Sequence, residues 1–104
     1  MRRRQVTYSA TAEDDLDSIF AVVASKASPA TALGFTERID SFCRSLDYAS
    51  ERGTRHDDFR AGLRSVGFER RVTVVFHVTE DAVLILRIFY AGRDWRAALD
   101  DLRR

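Results

Sequence analysis

The side chains able to do chemistry in this chain are few and scattered. His56-Asp57-Asp58 and His77 hold the imidazoles, Cys43 is the only thiol, and Glu13, Asp14, Asp15 and Asp17 form a dense group of carboxylates. A zinc site needs several ligands brought together, and no His/Cys spacing supplies them. The four acids fall in the first turns of a predicted helix, where the helix dipole favours carboxylates, and this reading is preferred to a cation site. Cys43 has no activating base near it in sequence, so it reads as a small core or boundary residue. The expectation is a protein with no metal, no cofactor and no assembled nucleophile.

Arginine is the more telling residue type. Basic and acidic side chains nearly balance at a formal +1, so bulk charge gives no argument for nucleic acid. Lys26 is the only lysine, while Arg64, Arg70, Arg71, Arg87 and Arg93 fall in or beside the most apolar stretches. Arginine and aromatic groups at such places are common anchors of protein interfaces. The lone Cys43 allows no internal disulfide, which fits a reducing compartment. MRRR is followed by QVTYS rather than an apolar run, and no stretch approaches a membrane span. The expected location is cytoplasmic, away from membranes.

The elements that must position these residues centre on 70–92, RRVTVVFHVTEDAVLILRIFYAG. Two runs dense in Val, Ile, Leu and Phe are parted by Thr79, Glu80 and Asp81, which predicts a β-hairpin. Both arms are apolar on nearly every residue, so both faces need cover. In the first arm Val72, Val74, Phe76 and Val78 share a face and Thr73, Val75 and His77 the other; the former should meet the helices. Leu63 to Phe68 is a third strand, and Gln5 to Tyr8 a short leading one. Ser9 caps a helix with Ala12, Leu16, Ile19, Phe20, Val23 and Ala27 on one face. Ser28-Pro29 ends it and opens a second, with Ala32, Phe35, Ile39, Phe42 and Leu46 as its seam. Ala49 to Gly62 reads as a connection without a regular element. Asp94 should cap a last helix carrying Trp95, Ala98, Leu99 and Leu102. The order β-α-α-β-β-β-α predicts an α+β fold, a small antiparallel sheet covered by an N-terminal helical hairpin, in one domain over residues 1–104.

This order, with YSATAEDDLDSIF at 8–20, ASPATA at 27–32, LRSV at 63–66, VVFHV at 74–78 and ILRIFYAGRDW at 85–95, resembles the ParE/RelE toxin superfamily. It is more similar to the ParE branch. The resemblance implies a toxin of a type II toxin–antitoxin pair, acting on DNA gyrase by binding and neutralised by a ParD-like antitoxin in a hetero-oligomer. DNA would then be reached only through the antitoxin. Two alternatives stay open: a RelE-like ribosome-dependent mRNA endonuclease, and a non-toxic member acting only in the antitoxin complex. Against the nuclease, the strand position where RelE members carry a basic residue aligns with Thr73, and RDWRAALDDLRR holds no tyrosine, which leaves little for acid–base catalysis. Many ParE members carry histidine where Tyr90 stands and tyrosine where His77 stands, which suggests a cross-strand pair that has exchanged types. Target contacts are expected from Arg64, Arg87, Tyr90, Arg93 and Trp95, gathered at one end of the sheet. Antitoxin contacts are expected along Phe20, Val23, Phe35 and Phe42.

Overall fold

The computed structural model describes residues 3–91. Arg93, Trp95 and the expected last helix lie outside the described residues. A first strand, β1 (Gln5–Tyr8), leads into helix α1 (Ala10–Lys26), which turns at Ser28 into α2 (Pro29–Arg44) and a 3-10 turn at Ser45–Asp47. The strands β2 (Thr54–Arg55), β3 (Leu63–Phe68), β4 (Val72–Val78) and β5 (Ala82–Tyr90) follow. The helix boundaries sit where the capping chemistry puts them. Ser9 Oγ accepts from Ala12 N at 3.0 Å, Ser28 Oγ accepts from Thr31 N at 3.1 Å, and Pro29 occupies the first turn of α2, where its missing N–H costs nothing.

The strands form one sheet in the order β1-β5-β4-β3-β2. β3, β4 and β5 are antiparallel neighbours, as the hairpin pattern implies, but β1 runs parallel to β5, with Gln5 opposite Ala82 and Tyr8 opposite Ile85. The sheet is therefore mixed, not wholly antiparallel as expected. β5 has an edge left open by the hairpin, and β1 fills it in the direction that carries the chain into α1. A second correction lies in the connection 49–62, which contributes β2, a two-residue strand on the outer edge of β3.

The α1–α2 hairpin covers one face of the sheet. Ile19, Phe35, Ile39 and Leu46 pack there with Val72, Val74, Phe76, Val83, Ile85 and Ile88, so the predicted inward face of β4 is correct. Leu63, Val75, Leu86 and Phe89 form a second apolar cluster on the opposite face, with Phe59 from the β2–β3 connection against it. That Ile85 and Ile88, three apart, both face the helices requires an irregularity. The register slips between Val75 and Phe76: Phe76 lies opposite Ile85 but Val75 opposite Arg87, leaving Leu86 as the extra residue of a bulge.

Candidate functional site

The bulge fixes the first of the expected target residues. Asp15, one turn into α1, accepts from Arg87 Nε at 2.9 Å and Nη2 at 3.2 Å, and from the Ile88 backbone N–H at 2.8 Å. Ser9 completes the tie by donating its hydroxyl to the Leu86 carbonyl at 2.9 Å. The Asp15 and Arg87 side chains keep only 12% and 18% of their exposure, so Arg87 is spent on holding α1 to β5. Its guanidinium also lies 4.7 Å from the centre of the Phe89 ring.

Arg64 and Tyr90 sit elsewhere. Arg64 is opposite Phe76 on β4, and its Nη1 donates to the Arg52 carbonyl at 3.3 Å. Tyr90 is opposite Val72, at the far end of the same strand. Their partners are four positions apart on β4, about 13 Å along the strand. The expectation that Arg64, Arg87 and Tyr90 gather at one end of the sheet is thus corrected. So is the His77–Tyr90 pair: His77 is opposite Leu84, near the other end of the hairpin, and its Nε2 lies 2.9 Å from the Ala61 carbonyl.

What the structure does bring together is a seam between α2 and the β3–β4 turn. Tyr90 meets Phe35 edge-on at 5.7 Å, and the two line an open hollow of about 210 Å³ with Val23, Thr31 and Arg71. One expected target residue and two expected antitoxin residues therefore share one place. Beyond it, Phe42 stacks on Phe68 at 4.8 Å in a wider hollow of about 580 Å³ that includes Gly34 and Ser41. Arg38 and Glu69 line both hollows, joined as a fork-to-fork pair at 2.8 and 3.1 Å. The guanidinium holds the Glu69 carboxyl below the usual carboxylate range. Glu69 and Arg70 both have positive φ, 49° and 62°, a conformation that side chains resist. The seam is thus two apolar hollows divided by a polar clasp, the clasp springing from a strained turn.

Phe20 is apart from this seam. It lines a shallow hollow between α1 and α2 with Leu16, Asp17, Glu37 and Asp40. Behind it the Tyr8 hydroxyl donates to Asp40 Oδ1 at 2.6 Å, and Arg44 pairs with the same carboxylate at 3.2 Å. Burial, then the bond to Asp40, pushes the Tyr8 phenol up. Burial likewise raises the Cys43 thiol to about 11, so at neutral pH it is neither thiolate nor accessible, as its core reading requires.

The His56-Asp57-Asp58 run does not converge. His56 is buried with Nε2 2.7 Å from Ser65 Oγ, whereas Asp57 turns outward to accept from the Gly62 N–H at 3.0 Å and to pair with Arg55. Among the described residues no three His, Cys, Asp or Glu side chains are grouped to hold a metal ion. No helix among them is long and apolar enough to cross a membrane.

Comparison with known proteins places this geometry. The chain is similar in fold to a chain of the chromosomal ParDE toxin–antitoxin system of P. aeruginosa, with 23% identity, 86% of this chain and 98% of that one covered, and a TM-score of 0.74. It is less similar to a chain of the RelBE2 toxin–antitoxin complex of Mycobacterium tuberculosis, with 18% identity, 85% and 98% covered, and a TM-score of 0.52. No curated protein sequence matches it. The family model of the ParE toxin of the type II toxin–antitoxin system parDE matches residues 6–95. That match takes in both described helices, the seam and, but for Gln5, the five described strands, and the chain belongs to the ParE toxin family.

Proposed function

We propose that this ParE-family chain is a toxin that inhibits DNA gyrase by binding it, without cutting a bond, and that a ParD-like antitoxin neutralises it. The observation that carries the reading is the family match over residues 6–95. Binding, as against catalysis, is supported by the state of the charged groups. Arg87 is committed to Asp15 and Arg38 to Glu69, and by the resemblance to the RelE branch Thr73 aligns with the strand position where those members carry a basic residue. The antitoxin's docking place in this reading is the seam, where apolar side chains enter beside Phe35 and Phe42.

The test is expression of the chain with and without its antitoxin, followed by assays on purified components. Growth arrest without the antitoxin, loss of supercoiling by purified gyrase, and intact messages in a translating extract are expected. Cut messages with normal supercoiling would assign a nuclease instead. Normal growth would leave only a role within the complex.

A further inference from the structure

At the end of the sheet where β1 begins, an open hollow of about 520 Å³ is lined by Arg3, Arg4, Gln5, Val6, Arg44 and Asp47. Three guanidiniums line it with one carboxylate, and even with Asp40 paired to Arg44 they leave a local excess of positive charge in a chain whose formal net charge is only +1. Each guanidinium is anchored by part of its fork. Arg3 and Arg44 use Nε, toward Asp47 at 3.0 Å and Asp40 at 3.2 Å. Arg4 donates Nε to the Thr79 carbonyl at 2.8 Å and Nη1 to the Ser50 hydroxyl at 2.7 Å. Their other Nη groups have no hydrogen-bond partner among the described residues. Arginines held at one nitrogen with others to spare are pre-positioned donors for an anionic oxygen. Asp47, whose side chain is 19% exposed, opposes an anion, but Arg3 keeps 71% of its side-chain exposure and so presents the rest of its fork to solvent.

The rim of the hollow adds a second kind of contact. Tyr48 is 49% exposed, and the Arg3 guanidinium lies 5.5 Å from its ring centre. An exposed ring beside a basic hollow is the pairing that single-stranded nucleic acids use, the backbone on the charges and a base on the ring. A duplex keeps its bases stacked on one another and offers no face to Tyr48. We propose that this hollow binds the phosphodiester backbone of a single-stranded nucleic acid, with an unpaired base stacked on Tyr48. The proposal is independent of the gyrase reading: it uses the opposite end of the sheet from the seam.

The experiment is fluorescence anisotropy with the purified full chain and a labelled oligothymidylate, a duplex of equal length, and inorganic phosphate as competitor. Binding of the single strand should weaken with salt at a log–log slope of about −2, three contacts at about −0.7 each. Arg3→Glu and Arg44→Glu should each weaken it by about tenfold or more, Tyr48→Ala should weaken the single strand by about fivefold or more while sparing the duplex, and Arg71→Glu, at the other end of the sheet, should change little. Circular dichroism and thermal unfolding establish that each variant is folded, and if Arg44→Glu is not, Arg3→Glu and Tyr48→Ala still decide. No binding at low salt, equal weakening by Arg71→Glu, or equal loss of duplex and single strand in Tyr48→Ala would overturn the proposal. Displacement by millimolar phosphate as complete as by unlabelled oligothymidylate would reduce it to an anion site and overturn the nucleic-acid assignment.

Discussion

Replacing Asp15 by alanine should cost more stability than its place on a helix surface suggests. The carboxylate holds three hydrogen bonds, two from Arg87 and one from the Ile88 N–H, and neither charged side chain of the pair is more than 18% exposed. Removing one partner of such a pair leaves the other buried and uncompensated, a loss of about 3–5 kcal/mol. In a domain of this size that lowers the melting temperature by at least about 12 °C. Asp15→Asn keeps the shape and one acceptor for Ile88, so its cost should be smaller, about 1.5–3 kcal/mol. Arg87→Met in the Asp15→Asn background should cost less than the sum of the two single changes, because no charge is then stranded. Urea unfolding of the four variants measures all of this, with growth arrest scored on the same set. If Arg87 acts by holding α1 to β5, growth arrest and stability fall together across the set, the double variant included. A cost below about 1 kcal/mol for Asp15→Ala, or strict additivity, refutes the argument. Loss of growth arrest in a fully stable Arg87→Met would return Arg87 to the target surface.

Glu69→Asn with Arg70→Gly places the residues that a turn with two positive φ values favours, and should stabilise the fold by about 1 kcal/mol in the same urea assay while opening the Arg38 clasp. Phe35→Ala should cost about 3–5 kcal/mol, since Phe35 is buried at 8% exposure; half-buried Phe42→Ala should cost less, and a folded Phe42→Ala that no longer binds the antitoxin would mark the seam as its dock. The Cys43 thiol titrates in the unfolded chain near 9 and in the folded one at about 11, so the unfolded state sheds its proton first and stability should fall as pH rises between those values, by roughly 3 kcal/mol, with no contribution below pH 9. Cys43→Ala should flatten the part of the decline between pH 9 and 10, below the midpoint at which Tyr8 ionises in the unfolded chain; an unchanged slope in urea unfolding over that window would contradict it.

The elements were legible because they depend on local chemistry. Ser9, Ser28 and Pro29 announce both helix starts, and the alternation in Val72 to Val78 gives the inward face of the central strand without tertiary information. The parallel placement of β1 was not legible, since the alternation of Gln5 to Tyr8 is the same whichever way its neighbour runs. The sites were harder. Asp15 looks like its neighbours Glu13, Asp14 and Asp17 in sequence, and only the bulge in β5, which no residue type signals, gives it a separate task. Arg38 and Glu69 are 31 positions apart and carry no pattern that pairs them. Arg64 and Tyr90 both flank apolar runs, but flanking two ends of one sheet is not proximity.

The parallel pairing of β1 with β5 also sets a waiting time. During synthesis the strand at Gln5–Tyr8 emerges early, yet the segment it must lie beside, beginning at Ala82, is not made until nearly the whole described chain has followed. At about 5–20 residues per second the interval is several seconds or longer. Throughout it the helical hairpin has no floor, and the apolar side chains of α1 and α2 stay wet. A fast-folding intermediate made of the helices alone has little to hold it, so assembly should be a late, all-or-none event triggered when the final strand arrives.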